Sequence, residues 1–152
     1  MTWLPESFAA PRRADLLTGH HLRQIRADDV NIDYPAVMGS RDRLWELYGE
    51  IWGWPPATMT VEEDRADLAR HEAEMVVNES FNYAVFNADE TELLGCIYID
   101  PPGDQSLAGS DAFVSWWVVN SAVGSALEAA LAAFVPEWLA ETWGFRAVHL
   151  HP

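Results

Sequence analysis

Few residues in this 152-residue chain carry obvious chemistry, and none sits in a ready-made catalytic motif. The stretch SWWVVNSAVGSALEAAL (115–131) changes from aromatic and β-branched to alanine- and leucine-rich across NSAVGS (120–125). A strand that feeds a helix through a small turn leaves unpaired N–H groups at the helix start, which suits an anion such as a phosphate. This turn has one glycine, Gly124, and no basic residue. Eight tryptophans form the second resource, with Trp45, Trp52 and Trp54 grouped within ten positions. Aromatic walls in an acidic chain would attract a cation through their ring faces; the same rings would equally serve as an apolar plug between helices and sheet. Trp116 and Trp117 are neighbours on a strand and face opposite ways. One of them belongs to the core, and the other either packs there too or faces a slot in the sheet.

Other groups point elsewhere. His149 and His151 are two apart on a strand and share a face, but a metal needs a third ligand and no dense Cys/His/Asp cluster supplies one, so no metal is expected. His71, next to Glu72 in a charged helical stretch, reads as a partner in local helix contacts. The single cysteine, Cys96, lies in LLGCIYI and reads as a small buried hydrophobe. There is no Gly-x-Ser-x-Gly, Gly-x-Gly-x-x-Gly or Cys-x-x-Cys, so serine or cysteine nucleophile chemistry has no local support.

Composition narrows the partners. Twenty-four acidic residues face nine basic ones, all arginine, for a formal net charge of −15. Such a chain repels nucleic acid and anionic membranes and attracts cations such as amines. Hydrophobic residues make up 49%, enough for one sizeable core, and no apolar run reaches the roughly 20 residues of a membrane helix. The start, MTWLPESFAAPRR, has no basic segment followed by an apolar block, and a cytoplasmic location is expected.

The elements that must position these residues follow from periodicity. Residues 1–20 read as an extended arm. HLRQIRADD (21–29) is a first strand, followed by turn or cap chemistry at Asp29 and Asn31. RDRLWELYGEIWG (41–53) has helical spacing, with Ser40 as a possible N-cap and Gly53 and Pro55–Pro56 as its end. TVEED (60–64) is a capping box, Thr60 with Glu63, that opens a helix. Its apolar stripe runs through Val61, Leu68 and Met75, and its outer face is acidic. NYAVFN (82–87), LLGCIYID (93–100) and AFVSWWVV (112–119) are strands. Residues 125–142 are helical, kinked or divided at Pro136, and FRAVHL (145–150) is a last strand. The predicted class is α/β with a central mixed sheet flanked by helices, and residues 1–152 form one domain. The strand–helix–strand end predicts strands 112–119 and 145–150 parallel, with a right-handed crossover.

In this order, DYPAVMGSRDRL (33–44), WPPATMTVEEDRADLARHE (54–72), FNYAVFN (81–87), LLGCIYIDP (93–101), VSWWV (114–118) and EWLAETWGF (137–145) resemble the GNAT superfamily of acyl-CoA-dependent N-acetyltransferases, in a small bacterial branch. The resemblance covers about 120 residues. It implies a GNAT-like fold that closes after its fifth strand, and acetyl-CoA as cofactor. The pyrophosphate would lie on main-chain amides over Val118, Val119, Asn120, Ser121, Ala122, Val123, Gly124 and Ser125. The family's Gln/Arg-x-x-Gly-x-Gly/Ala is degraded here: Val119 stands at the Gln/Arg position, Ala122 at the first glycine, and Gly124 is kept. Shifted by two residues, the motif fits Gly124 and Ala126 but puts Ser121 at the Gln/Arg position. The family's strand glutamate is replaced by Phe113, and its C-terminal tyrosine acid has no counterpart before Pro152. Tyr98 is then the nearest tyrosine that could act, with a buried core role as its other reading.

The resemblance implies an N-acetyltransferase that acetylates a primary amine, with Trp52, Trp54 and Trp117 near the acceptor. The alternative is a catalytically inactive GNAT-fold protein that binds a ligand or partner. The uncovered sheet edge implies cover by a second copy, in a homodimer, or by the arm 1–20.

Overall fold

A computed structural model describes residues 3–104 and 106–151. Its centre is one six-stranded sheet: β1 (Arg13–Asp15), β2 (His21–Gln24), β3 (Phe81–Phe86), β4 (Leu93–Asp100), β5 (Ala112–Val118) and β6 (Val148–His151), ordered as in the chain. The first five strands pair antiparallel with their neighbours, and β5 pairs parallel with β6. The predicted parallel end of the sheet is therefore present. The α/β class and mixed sheet hold, with six strands rather than five.

The extra strand comes from the arm. Residues 13–15 turn back on 21–24 through Gly19, whose φ of +88° suits glycine. The rest of the arm is also tied down. Trp3 stacks on Phe145 with 5.9 Å between centroids and donates its indole N–H to the Asp111 carbonyl; Phe8 lies 5.1 Å from Trp143.

Four helices cover the sheet: α1 (Val30–Gly39), α2 (Arg41–Trp52), α3 (Val61–Val76) and α4 (Ala126–Glu141). The first strand was expected to run through residue 29, but it ends at Gln24. A 3₁₀ turn at Ala27–Asp29 then leads into α1, where the sequence suggested only a turn. Pro35 and a nearly even spread of apolar residues hide this helix from a periodicity reading. Pro136 does not divide α4, which stays helical from Ala126 to Glu141 although proline cannot donate its backbone bond. The Thr60–Glu63 capping box forms in both directions, at 3.1 and 3.0 Å. Ser40 precedes α2 but makes no side-chain cap bond; its hydroxyl instead accepts the Asn120 N–H at 2.9 Å.

Helices α1 and α3 contact β4 and β3 respectively, on one face of the sheet, and α4 packs on the other. Strand alternation assigns the side chains. Tyr83 meets Trp138 of α4 edge-on at 5.0 Å, while Asn82, one residue earlier, faces the α1–α3 side beside its cross-strand partner Tyr98. Cys96, Tyr98 and Asp100 of β4 and Phe113, Ser115 and Trp117 of β5 share that face. Gly95 is required where β4 passes β5, because a Cβ there would overlap the Trp117 carbonyl.

Candidate active site

The α1–α3 face carries a cleft of about 1020 Å³ between the end of α2, the inner side of α3 and the strands β3 and β4. Trp52 and Trp54 border it, and Tyr98 forms part of its floor. Tyr48 anchors the aromatic wall: it stacks on Trp52 at 4.7 Å and meets Tyr98 edge-on at 5.9 Å. Its hydroxyl lies 2.7 Å from Ser115 Oγ, which in turn donates to the His151 carbonyl. Trp45 is not part of this wall; it is 40% exposed and stacks with Arg41 at the surface.

Trp117 lies one layer deeper than expected. It is buried behind Trp54 and donates its indole N–H to the Tyr98 hydroxyl at 2.8 Å, so it supports the floor rather than lining the cleft. Burial pushes both the Tyr98 hydroxyl and the Cys96 thiol well above their ordinary values, so each stays protonated. Cys96 is the buried small residue its sequence context implied.

Acidic side chains dominate the remaining lining. Asp33 of α1 and Asp64 of α3 are 3% and 2% exposed, and their carboxyls share a hydrogen bond. Two carboxyls can bond only if one is protonated. Burial raises both, and the bond to Asp64 raises Asp33 further, so Asp33 carries the proton. Asp100, at the end of β4, is bonded by the Ser80 hydroxyl; burial pushes it up to about 6 despite that bond, with Glu74 adding to the rise. His71 lies 3.6 Å from Glu74 one turn on, the kind of local helix contact expected for it, and it also faces the cleft. Burial, and then Arg70, hold its imidazole down near 4, so the ring is neutral.

Three buried polar atoms in this lining have no partner among the described residues: Asp64 Oδ2, Asn82 Oδ1 and His71 Nδ1. Buried acceptors left unpaired are costly and uncommon. Sequence reasoning missed all three, because Asp64 and His71 fall within the stripe of Leu68 and Met75 that was taken as purely apolar. The spacing of seven from Asp64 to His71, matching that from Leu68 to Met75, was the available signal. Val61, by contrast, is 38% exposed at the start of that stripe.

The loop after β5 lies apart from the cleft, at the opposite end of β5 from Phe113, the residue paired with Asp100. Val118 is buried, and its carbonyl accepts from the Arg43 guanidinium, whose Nε donates to Asn120 Oδ1 at 2.9 Å. Val119, Asn120 and Ser121 border a second, shallower groove of about 460 Å³ against α1. Ala122 is buried, Val123 is exposed, and the Ser125 hydroxyl caps α4 through the Glu128 N–H. The loop amides are largely occupied. Ala122, Val123 and Ser125 donate to carbonyls within the loop, Asn120 donates to Ser40, and Gly124 donates to Glu128 Oε1 at 2.9 Å. Among the described residues, the N–H groups of Ala126 and Leu127 in the first turn of α4 have no acceptor. Gly124 has a φ of +76° with open space where a Cβ would stand.

No three His, Cys, Asp or Glu side chains converge on a metal-sized point among the described residues, and none of the described helices is long and apolar enough to cross a membrane.

No protein-family model and no curated protein matches the sequence. Solved structures do match the fold. An acetyltransferase from Salmonella typhimurium that modifies the N-terminal serine of the ribosomal protein L7/L12 is 14% identical, with a TM-score of 0.70 over 91% of this chain and 73% of that one. The ribosomal-protein-S5-alanine acetyltransferase from Vibrio fischeri is 14% identical, with a TM-score of 0.64 over 87% of this chain and 69% of that one. RimL, a ribosomal L7/L12 α-N-protein acetyltransferase solved with coenzyme A, is 16% identical, with a TM-score of 0.64 over 83% of this chain and 67% of that one. With β3 and β4 flooring a cleft beside α1 and α3 and a strand–turn–helix passing to the far face, the chain has the fold of the GNAT acetyltransferases.

Proposed function

We propose that the protein is an N-acyltransferase that moves an acyl group from an acyl-CoA thioester to a cationic amine. The observation that carries this reading is the cleft: aromatic and acidic, on the α1–α3 face of a GNAT-fold sheet. The acids attract an ammonium, Trp52 and Trp54 offer it ring faces, and Tyr98 holds the floor rigid through Trp117.

A general base must take a proton from the ammonium before its nitrogen can attack a carbonyl. Phe113 occupies the strand position where the resemblance places a glutamate. Its direct cross-strand partner is Asp100, and directly opposed side chains share a face about 5 Å apart. Asp100 thus restores a carboxylate one strand away. Burial raises its proton affinity to about 6, near neutrality, which suits it to accept the proton at its carboxylate.

The loop can accommodate the cofactor's anionic part. A carboxylate oxygen of Glu128 already sits on the Gly124 N–H and stands in for a phosphate oxygen, beside the unpartnered amides of Ala126 and Leu127. Gly124, Ala126 and Leu127 are the residues that would hold the pyrophosphate once the Glu128 side chain rotates away. Acetyl-CoA, when bound, supplies the activated acyl group.

The test is a melting curve of the purified chain with acetyl-CoA, followed by an amine-dependent thiol-release assay at pH 8. A ligand at roughly 100 times its dissociation constant stabilises by about 2.7 kcal/mol. A melting curve that millimolar acetyl-CoA leaves unmoved, at both low and moderate salt, would overturn the reading.

A further inference from the structure

The cleft is acidic at both ends and holds unpaired acceptors along its length. At one end lies the bonded pair Asp33 and Asp64, close enough to Cys96 to act on its thiol. At the other lies Asp100, bonded by Ser80 and within electrostatic reach of Glu74. From Cys96 to Asp100 is four residues of strand, about 13 Å at strand rise. From Asp64 to Glu74 is ten residues of helix, about 15 Å. The two measures run along opposite walls of one cleft and agree. Between the ends, the unpartnered Asn82 Oδ1 and His71 Nδ1 lie on either side of Tyr98: Asn82 is its cross-strand partner, and the His71 ring is 6.4 Å from the Tyr98 ring.

This arrangement is more specific than an acidic patch. Asp64 and Asn82 are each more than nine-tenths buried, and each presents an oxygen with no partner. His71 adds a neutral imidazole to the same wall, with its Nδ1 3.6 Å from Glu74 Oε1. Asn82 Oδ1 has no donor and the Asp64 carboxylate has only the Asp33 proton, and a ligand rich in N–H groups would supply more. A single ammonium cannot span a trough of this length. Arg70 bridges Glu74 at 3.0 Å and reaches Asp67 at 3.7 Å, which leaves the Asp33–Asp64 pair and Asp100 for the ligand.

We infer that the acceptor is a linear aliphatic polyamine, with one terminal ammonium at Asp33–Asp64, an inner amine at Asn82 and His71, and the other terminus at Asp100. This rests on the acyl-transfer reading for what happens to the amine, but not for its binding. The terminus at Asp100 is the one placed beside the proton acceptor, so it is the nitrogen that would be acylated. The ammonium gives one proton to the Asp100 carboxylate, the freed nitrogen lone pair forms the carbon–nitrogen bond, the carbon–sulfur bond of the thioester breaks, and the second proton lost from nitrogen passes to the departing sulfur, which leaves as the free thiol.

Titration calorimetry on the full chain, without acetyl-CoA, tests the binding. The probes are spermidine, spermine, 1,4-diaminobutane and butylamine at fixed ionic strength. We expect one spermidine per chain, bound at least tenfold more tightly than 1,4-diaminobutane, which is too short to reach both ends. Asp64→Asn and Asn82→Leu should each weaken spermidine at least fivefold. Glu137→Gln with Glu141→Gln, on α4 across the sheet, should leave it unchanged. Equal affinity for the diamine and triamine overturns the inference, and that comparison uses the wild-type chain alone, so it survives any variant that fails to fold. An equal loss from the α4 substitutions also overturns it, because binding would then follow net charge. Polyamine binding without acetyl transfer from acetyl-CoA would sustain the site and refute the transferase reading. Transfer to simple amines with no preference for polyamines would do the reverse.

Discussion

Replacing Asp100 by Asn should stabilise the protein, and the gain should depend on pH in a calculable way. Burial raises the Asp100 carboxyl from 3.8 to about 6 in the folded chain, while the unfolded chain keeps the ordinary value. The folded state therefore holds this proton more tightly. Its contribution to stability is fully present below about pH 3.8 and is lost as pH rises through 6. Roughly 2.2 decades of proton affinity, at about 1.4 kcal/mol each, make a charged Asp100 cost about 3 kcal/mol at pH 8. Asn removes the charge and keeps an acceptor oxygen for the Ser80 hydroxyl. For a domain of this size the gain corresponds to about 6–12 °C in Tm at pH 8. At pH 5, still above the pI of about 4.4, the gain falls to about half. His71 titrates in an overlapping window with the opposite sign, since its depressed value gives stability above 6.5 that is lost as pH falls toward 4. Only the difference between variant and wild type isolates Asp100. The assay is paired thermal melts at pH 8 and pH 5, with amine-dependent thiol release from acetyl-CoA measured in parallel. The variant should melt higher and transfer more slowly. A gain that is the same at both pH values, or a loss at pH 8, would refute the argument that desolvation holds this carboxyl up.

Three more outcomes follow from other parts of the molecule. Arg23→Met should destabilise by about 3 kcal/mol in a urea melt, because it strands buried Asp29, which Arg23 grips through two bonds of 3.0 and 2.8 Å. A loss under 1 kcal/mol would show that Asp29 finds another partner. Gly95→Ala should lower stability by about 1–3 kcal/mol or prevent folding, since the new Cβ meets backbone that cannot rotate away; a wild-type melt from the purified variant would contradict this. Glu128→Ala should tighten acetyl-CoA about two- to fivefold, as removal of the carboxylate on Gly124 restores the attraction of the helix start for an anion. Weaker binding would place the cofactor's phosphates elsewhere.

Much of the fold was legible because its elements obey local rules. The capping box at Thr60, the continuous apolar strand LLGCIYID and the strand–helix–strand end each carry their own signal, and each appears in the structure. Helix α1 was not legible, because its register is set from outside: the Tyr34 hydroxyl bonds the Met59 carbonyl, and Asp33 is held by Asp64. Strand β1 is only three residues long and exists because β2 offers it an edge, which no local pattern can announce. Ser40 was read as a cap, but the Asn120 amide takes its hydroxyl across 80 positions of sequence.

The site shows the same division, and the reason bears on function. Trp52 and Trp54 were placed near an acceptor by the resemblance, which sets the segment after α2 beside that site, whereas Trp45 of the same group lies at the surface. Asp33, Asp64, Asn82 and Asp100 could not be placed, because the ordinary expectation for an acid or amide is solvent, and for Asp64 the helix face predicted an apolar neighbour. The structure departs from that expectation at several positions that border one cleft. A fold needing only stability would fill such positions with leucine or alanine, since a buried charge costs several kcal/mol and an unpaired acceptor about 1–3 kcal/mol. Of the four buried side-chain polar atoms without a partner among the described residues, three border this cleft, and the fourth, Trp143 Nε1, lies on the other face. The opposite face, under α4, is packed by Tyr83, Phe81, Trp138 and Trp143 in edge-on contacts. Stability is thus given up mainly around the cleft, where the oxygens of Asp64 and Asn82 are acceptors open to a donor.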